Sequence, residues 1–405
     1  MAERSGPDAP VRAVFVAQLP PPVHGQAVAD LELSRLVDVD LAVVPLRFAR
    51  SVDDIGRLRP GKVLAVVTLV VRIVVTRLRT GATVLTYSLG ARSRLPVLRD
   101  ALVLLATRPW FRRTVLHLHT GDYGHRVSEE RGLVGRLVRR AFGSADLILL
   151  DPALDVAGAR LPDPASVSYL NYGVTDLAVE GGRTTSEVPA VEGERTTGEV
   201  PSVEGERTTG EVPTVLFLGN LYESKGTHVL LRAGAELARR DVACRLVFAG
   251  SSPGDDDLAA FDRLVDELGL RDVVERIGPV SGETKTATFA GADVFCFPTE
   301  YEAEGMPLVV MEAMGAGLPV VSTRWRAIPS TVVEGETGFL VDPGDVAALA
   351  DRLEALLGDP ALAASMGRAG RSRFEERFTL DRFRAEFARI VRQAADQDGA
   401  PAVLP

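Results

Sequence analysis

Glu304 and Glu312 stand eight residues apart, with Gly305, Met306, Pro307 and a short apolar run between them. Pro307 suits the first turn of a helix, where no N–H is needed. Glu304 then lies in a loop before the helix and Glu312 on the helix itself. A carboxylate in such a loop accepts hydrogen bonds from hydroxyls. The N–H groups around Gly305, Met306 and Leu308 can hold an anion, helped by the helix dipole. Hydroxyls beside an anion describe a sugar attached to a phosphate.

Other residues could join this chemistry. Lys225 sits in the loop Tyr222–Gly226, after an apolar run that ends near Gly219 and before a helical pattern from Thr227. A lysine at a helix N-terminus is a natural phosphate contact. Gly25 lies in the proline-rich loop Pro20–Gln26. It lets the backbone approach a ligand, or the prolines simply stiffen a turn. His117 and His119 share one face of a strand. They could bind a metal, although no third or fourth ligand is evident nearby. His119, nearer the strand end, is better placed for a polar ligand contact, and His117 for the core. Asp255, Asp256 and Asp257 could hold a divalent ion on a diphosphate, but they open a helical pattern, where acids favour the dipole.

The elements that must position these groups alternate. Val11–Leu19, Thr114–Asp122, Ala145–Leu150, Val167–Gly173, Thr214–Leu221, Cys244–Gly250, a short stretch within Arg271–Val280, Asp293–Thr299, Val320–Ser322 and Gly338–Gly344 read as strands, several of them buried and running into loops. Helical patterns follow most of them, at Ala27–Leu36, Thr227–Arg239, Leu258–Leu268, Glu283–Gly291 and Val346–Leu357. Such alternation predicts an α/β protein with two doubly wound, Rossmann-like sheets facing across a cleft. Residues 1–176 form the first domain and 214–376 the second, while 377–405 hold a helix returning toward the first, and a tail. Residues 177–213 hold a 12-residue repeat in three copies, VEGGRTTSEVPA, VEGERTTGEVPS and VEGERTTGEVPT. Poor in large apolar groups, it reads as a flexible linker insert without chemistry.

The net charge of −9 is unevenly spread. Residues 1–176 carry 23 Lys and Arg against 17 Asp and Glu, and the remainder carries 23 against 38. The acidic bulk argues against general nucleic-acid binding. The basic half could meet an anionic partner. Arg72, Arg77 and Arg79 lie on the helical pattern Val63–Arg79, and six more arginines fall in Ala91–Arg113. This describes either a helix surface on an anionic membrane or an ordinary solvated basic face. Cys244 and Cys296 lie in apolar runs and fit a reducing compartment. With no signal-peptide core and no spanning run, the expected location is cytoplasmic, peripheral on the inner face of the plasma membrane at most.

The C-terminal half resembles a retaining family 4 glycosyltransferase of the GT-B fold. The resemblance rests on Gly219…Lys225-Gly226, the Glu304-x7-Glu312 pair, Glu312-Ala-Met with Gly317-Leu-Pro-Val-Val, and Glu336-Thr-Gly-Phe-Leu-Val. The N-terminal half matches more loosely, through Pro20–Gly25, His119 and Asn171-Tyr-Gly-Val. The resemblance implies a UDP- or GDP-linked sugar donor and no other cofactor or metal. Glu304 would take the donor sugar hydroxyls, Glu312 the ribose, and Lys225 the leaving diphosphate. Gly25, Gly219, Gly250, Gly305, Met306 and Leu308 would bring backbone toward the donor, and Ile277 would border the base. His119 would touch the sugar or the reacting centre. Asn220 departs from the family, which usually has arginine there, so one phosphate-facing charge is missing. The acceptor would be lipid-linked, a polysaccharide or a small molecule. The alternative is a noncatalytic nucleotide-sugar- or membrane-binding scaffold for cell-envelope assembly.

Overall fold

The computed structural model describes residues 11–21, 25–46, 60–90, 94–119, 123–150, 161, 163–177, 212–252, 254–302 and 304–397. The repeat falls almost wholly outside the described residues. The chain divides into two compact units, the first made of residues 1–173 and 380–405 and the second of 174–379.

The first unit runs β1 (Arg12–Ala17), α1 (Gly25–Ser34), β2 (Asp40–Pro45), α2 (Pro60–Thr80), β3 (Val84–Leu89), α3 (Arg94–Thr107), β4 (Arg113–Leu118), α4 (Tyr123–Glu129), α5 (Gly132–Phe142), β5 (Asp146–Leu149) and β6 (Ser166–Tyr169). The strands form one sheet in the order β2-β1-β3-β4-β5-β6, and every pair is parallel. In β1, Ala13 to Ala17 are all fully buried, because a central parallel strand has helices on both faces.

The second unit runs β7 (Thr214–Leu218), α6 (Thr227–Arg239), β8 (Arg245–Ala249), α7 (Asp255–Glu267), β9 (Val274–Gly278), α8 (Gly282–Ala290), β10 (Val294–Phe297), α9 (Leu308–Gly315), β11 (Val320–Thr323), α10 (Ile328–Thr331), β12 (Gly338–Val341), α11 (Val346–Gly358) and α12 (Pro360–Arg377). Its parallel sheet has the order β12-β11-β10-β7-β8-β9. The last helix, α13 (Leu380–Asp396), belongs to the first unit. There Phe387 stands 5.6 Å from the Phe15 ring, and Arg384 Nη2 meets Glu32 Oε2 at 2.5 Å.

The expected class is therefore observed: two Rossmann-like, six-stranded parallel sheets. Several local details differ. Strands β2 and β3 went unmarked in the sequence. Helix α7 begins at Asp255, so the three aspartates fill its first turn. Pro307 is not in the first turn of α9 but one residue before it, with φ −69° and ψ 116°. The extended ψ is what an arriving loop needs, and a proline there gives up no helical bond.

Candidate functional site

In each sheet the strand order reverses once. In the second unit the chain leaves β7 toward β8 and β9, then returns to place β10 on the other side of β7. Loops leaving two such strands diverge and make a crevice at their carboxyl ends, where ligands of this architecture bind. The loop after β7 carries Lys225, and the loop after β10 carries Glu304.

The two loops are pinned together by backbone contacts. Glu300 N donates to Ser224 O at 2.9 Å, and Thr299 Oγ1 donates to the same oxygen at 3.3 Å. Gly226 has φ +87°, and a Cβ there would come within 2.1 Å of Pro298 O. Only glycine fits, and that close approach aims the preceding lysine. Lys225 Nζ lies 2.6 Å from Glu304 Oε2, and Thr299 Oγ1 donates to that oxygen at 3.2 Å. The ammonium also sits 4.3 Å from the centre of the Tyr301 ring, a favourable cation–π geometry. Trp325 Nε1 and the N–H of Glu304 both donate to Tyr301 O, which fastens the loop.

Pro307 brings the chain into α9. Among the described residues, the N–H groups of Gly305, Met306 and Leu308 make no hydrogen bond. Met306 is buried, while Gly305 and Leu308 are half-buried. Four residues along α9 from Leu308, Glu312 Oε1 accepts from Lys285 Nζ at 2.6 Å. Its other oxygen, Oε2, is buried and has no partner among the described residues. A buried acceptor without a donor is costly, roughly 1–3 kcal/mol, so this oxygen suits a hydroxyl of a ligand.

The remaining candidate residues lie along the same strand ends. Gly219 N donates to Ala249 O at 2.9 Å, and Gly250 N to Gly278 O at 2.8 Å. Gly250 has φ +144°, and a Cβ on it would meet Gly219 O at 1.9 Å. The glycine lets the ends of β7 and β8 close up. Asn220 is exposed beside them. Ile277 is half-buried on β9, next to Arg276, which pairs with Asp262 at 3.2 Å.

The first unit reverses between β1 and β3, and polar side chains gather there too. His119, just past β4, is buried. Its Nε2 lies 2.6 Å from Ser88 Oγ and 3.2 Å from Asp30 Oδ1, and its Nδ1 is hydrogen-bonded to the Tyr172 hydroxyl. Asp30 further accepts from Ser88 Oγ and from Gln18 N, both at 2.8 Å. His117 lies behind His119, ring centres 4.0 Å apart, and neither of its nitrogens has a partner among the described residues. Burial, with His119 adding to it, holds the His117 imidazole well below its ordinary pKa. Burial likewise holds the Tyr172 phenol well above its own.

Asp30 is the third ligand that the sequence did not reveal: one donor atom each from Asp30, His117 and His119 lie within 4.8 Å of one another. Two imidazoles and a carboxylate form a set that zinc accepts. Ser88 already joins Asp30 to His119, however, and an ion would still leave one His117 nitrogen unpaired. We read the cluster as a hydrogen-bonded chain, Asp30–Ser88–His119–Tyr172. Gly25, the first residue of α1, is exposed, and residues 22–24 of its loop lie outside the described residues.

Lys285, Thr299, Tyr301, Asp30 and Ser88 were missed by sequence reasoning. Lys285, Asp30 and Ser88 come from other elements than the residues they serve, so no local spacing announces them; Thr299 and Tyr301 lie in Glu304's own loop, but nothing in the loop's sequence marks them. The cysteines carry no chemistry: burial pushes the Cys244 thiol up to about 11 and Cys296 further.

A separate surface belongs to the first unit. On α2, Leu69 and Ile73 face the core, while Leu64, Val67, Val71, Val75 and Leu78 face outward, Leu64 69% and Leu78 64% exposed. Their spacing of three and four draws one apolar stripe along the helix. Arg72 and Arg79 are exposed beside it. On α5, Leu133 and Leu137 are exposed next to Arg136 and Arg140. No helix among the described residues is long and apolar enough to cross a membrane.

Residues 203–373 match the family described as Glycosyl transferases group 1, so the second unit carries that domain. The chain is 38% identical over 157 residues to a D-inositol 3-phosphate glycosyltransferase of Pseudarthrobacter chlorophenolicus, covering 38% of this chain and 37% of the relative. It is 37% identical over 162 residues to a GDP-mannose-dependent alpha-(1-6)-phosphatidylinositol monomannoside mannosyltransferase of Mycolicibacterium smegmatis, covering 39% and 42%. The matched stretches thus span about two fifths of these relatives' own length. Among solved structures, Anabaena HepE in complex with UDP superposes with a TM-score of 0.67 at 16% identity, covering 95% of this chain and 100% of that one. Sucrose-phosphate synthase of Thermosynechococcus elongatus gives 0.65 at 18% identity, covering 95% and 99%. The fold is GT-B.

Proposed function

We propose that the protein is a retaining glycosyltransferase that moves a sugar from a nucleoside-diphosphate sugar to an acceptor at an anionic membrane surface. The carrying observation is the constellation at the reversal point of the second sheet. Three N–H groups and a buried carboxylate oxygen have no partner among the described residues, and beside them Lys225 is paired with Glu304. They match a leaving diphosphate and a ribose. The domain family and the named activities of the relatives support the same reading.

Breaking a glycosyl–phosphate bond builds negative charge on the departing diphosphate. Lys225 and the N–H groups of Gly305, Met306 and Leu308 are preorganised for it, so they stabilise the transition state more than the ground state. Without donor, Lys225 is neutralised by Glu304. Donor binding exchanges that partner: the ammonium turns to phosphate, and Glu304 is released to accept from the sugar hydroxyls. Positive potential from the chain itself serves the leaving group, so the reaction is proposed to need no metal. Each glutamate is tied to its own lysine, which suits ligand binding better than the acid and base roles of a hydrolase pair. Retention then follows from same-face attack, with a donor phosphate oxygen taking the acceptor proton.

Membrane proximity rests on the outward stripe of α2 and the arginines beside it. Apolar side chains in the headgroup layer, flanked by cations, bind anionic bilayers. The acceptor is therefore proposed to be lipid-linked or polymer-bound. Asn220 favours a second reading, a scaffold that binds donor without turning it over. Release of free nucleoside diphosphate from UDP- or GDP-sugars, with envelope lipid extract as acceptor, separates the two. Release supports the enzyme; donor binding without release from any donor supports the scaffold.

A further inference from the structure

Lys285 lies in the first turn of α8, with a half-buried side chain, and nothing in the transfer chemistry above requires it. Its Nζ contacts Glu312 Oε1 at 2.6 Å, and the two side chains are 23% and 13% exposed. The contact is asymmetric. It occupies one carboxylate oxygen and leaves Oε2 buried without a partner among the described residues.

We infer that Lys285 is the positioning residue for ribose: by clamping Oε1 it fixes the Glu312 rotamer and presents Oε2 alone to the donor's ribose hydroxyls. This rests on the proposed nucleotide-sugar reading and adds to it a basis for recognising the ribose hydroxyls. A free glutamate samples several rotamers and hydrates both oxygens. One held by an ammonium keeps its charge and orientation, and a hydroxyl then donates to a fixed, desolvated acceptor. Charge-assisted bonds of this kind are among the strong ones. A 2′,3′-dideoxynucleotide leaves Oε2 unpaired, and rejecting a ligand through an unpaired buried group is an effective form of specificity.

The test compares binding of UDP and GDP with their 2′,3′-dideoxy forms by calorimetry. The variants are Lys285→Met, which keeps the stem and removes the charge, Lys285→Arg and Glu312→Gln. The wild type should bind the better ribonucleotide at least about tenfold more tightly than its dideoxy form, the scale of one strong hydrogen bond. Lys285→Met should bring that ratio to within about twofold, as Glu312→Gln does, and Lys285→Arg should restore most of it. Adding Lys285→Met to Glu312→Gln should change the ratio no further. If Lys285→Met weakens both nucleotides equally, the lysine serves the diphosphate or the fold, and the inference fails. If the wild type binds no nucleoside diphosphate at all, the functional reading falls with it.

Discussion

The two units gather polar side chains at the same topological place and use them differently. In the first, Asp30, Ser88, His119 and Tyr172 are buried, and each is spoken for by another member of the chain of hydrogen bonds. In the second, Lys225, Glu304, Lys285 and Glu312 stay 10–23% exposed, and their pairing leaves one acceptor over. A closed network holds α1, β3 and β4 together, because removing any member orphans the others. A network with a gap is stable only marginally by itself and is completed by a ligand. The difference teaches that perturbing the first should cost stability, and perturbing the second should cost activity.

The largest effect expected is from Lys225→Ala. Turnover should fall about 10²–10³-fold, the usual loss on removing one group that stabilises a developing anion. Thermal melting should move little, because Glu304 keeps Thr299 as a partner. A matching drop in melting temperature would erase the contrast. Next comes Asp30→Ala. It strips Ser88, His119 and Gln18 N–H of their acceptor and should destabilise the protein by about 3 kcal/mol in chemical denaturation.

Leu64→Asp tests the outward stripe. It should weaken co-sedimentation with anionic vesicles at low salt by about tenfold, since an apolar side chain gives about 1.5–3 kcal/mol on leaving water. Stability should be unchanged, as Leu64 faces away from the core.

The buried network also predicts a pH dependence. Burial lowers the His117 pKa in the folded state. Between its ordinary value near 6.5 and that lower value, the unfolded chain binds a proton that the folded one does not. The contribution is therefore fully present above about pH 6.5 and is lost as pH falls, by up to about 1.4 kcal/mol per unit. Equilibrium denaturation at pH 7, 6 and 5 reads this out, and His117→Phe should flatten its share, with His119 and Asp30 still facing the site. The smallest effect is that of Asn220→Arg. Restoring a cation at an exposed position should raise turnover by no more than about fivefold, the scale of a solvated charge contact.

Much of the fold was legible in the sequence because apolar strands and amphipathic helices differ in period. The exceptions have physical causes. Strand β3 reads VLTYSL, and its Thr86 and Ser88 are buried only because Val14 O, Asp30 and His119 offer partners from elsewhere. Polarity hid the strand, and only tertiary structure explains the polarity. Glu304, Glu312 and Lys225 were picked out as candidates by loop chemistry and resemblance. Their partners were not: Lys285 is 27 residues from Glu312, and Lys225 is 79 from Glu304. Sheet order creates those meetings, and no sequence window contains it. For the same reason His117 and His119 showed themselves as a pair, while Asp30 did not.

The central claim is that the reversal point of the second sheet transfers sugar. It is tested most directly by nucleoside diphosphate release from the preferred UDP- or GDP-sugar, wild type against Glu304→Ala, at matched folded fraction. The account predicts saturable release by the wild type and a loss of at least about a hundredfold in the variant, with the melting transition retained. Near-normal release by Glu304→Ala would contradict it.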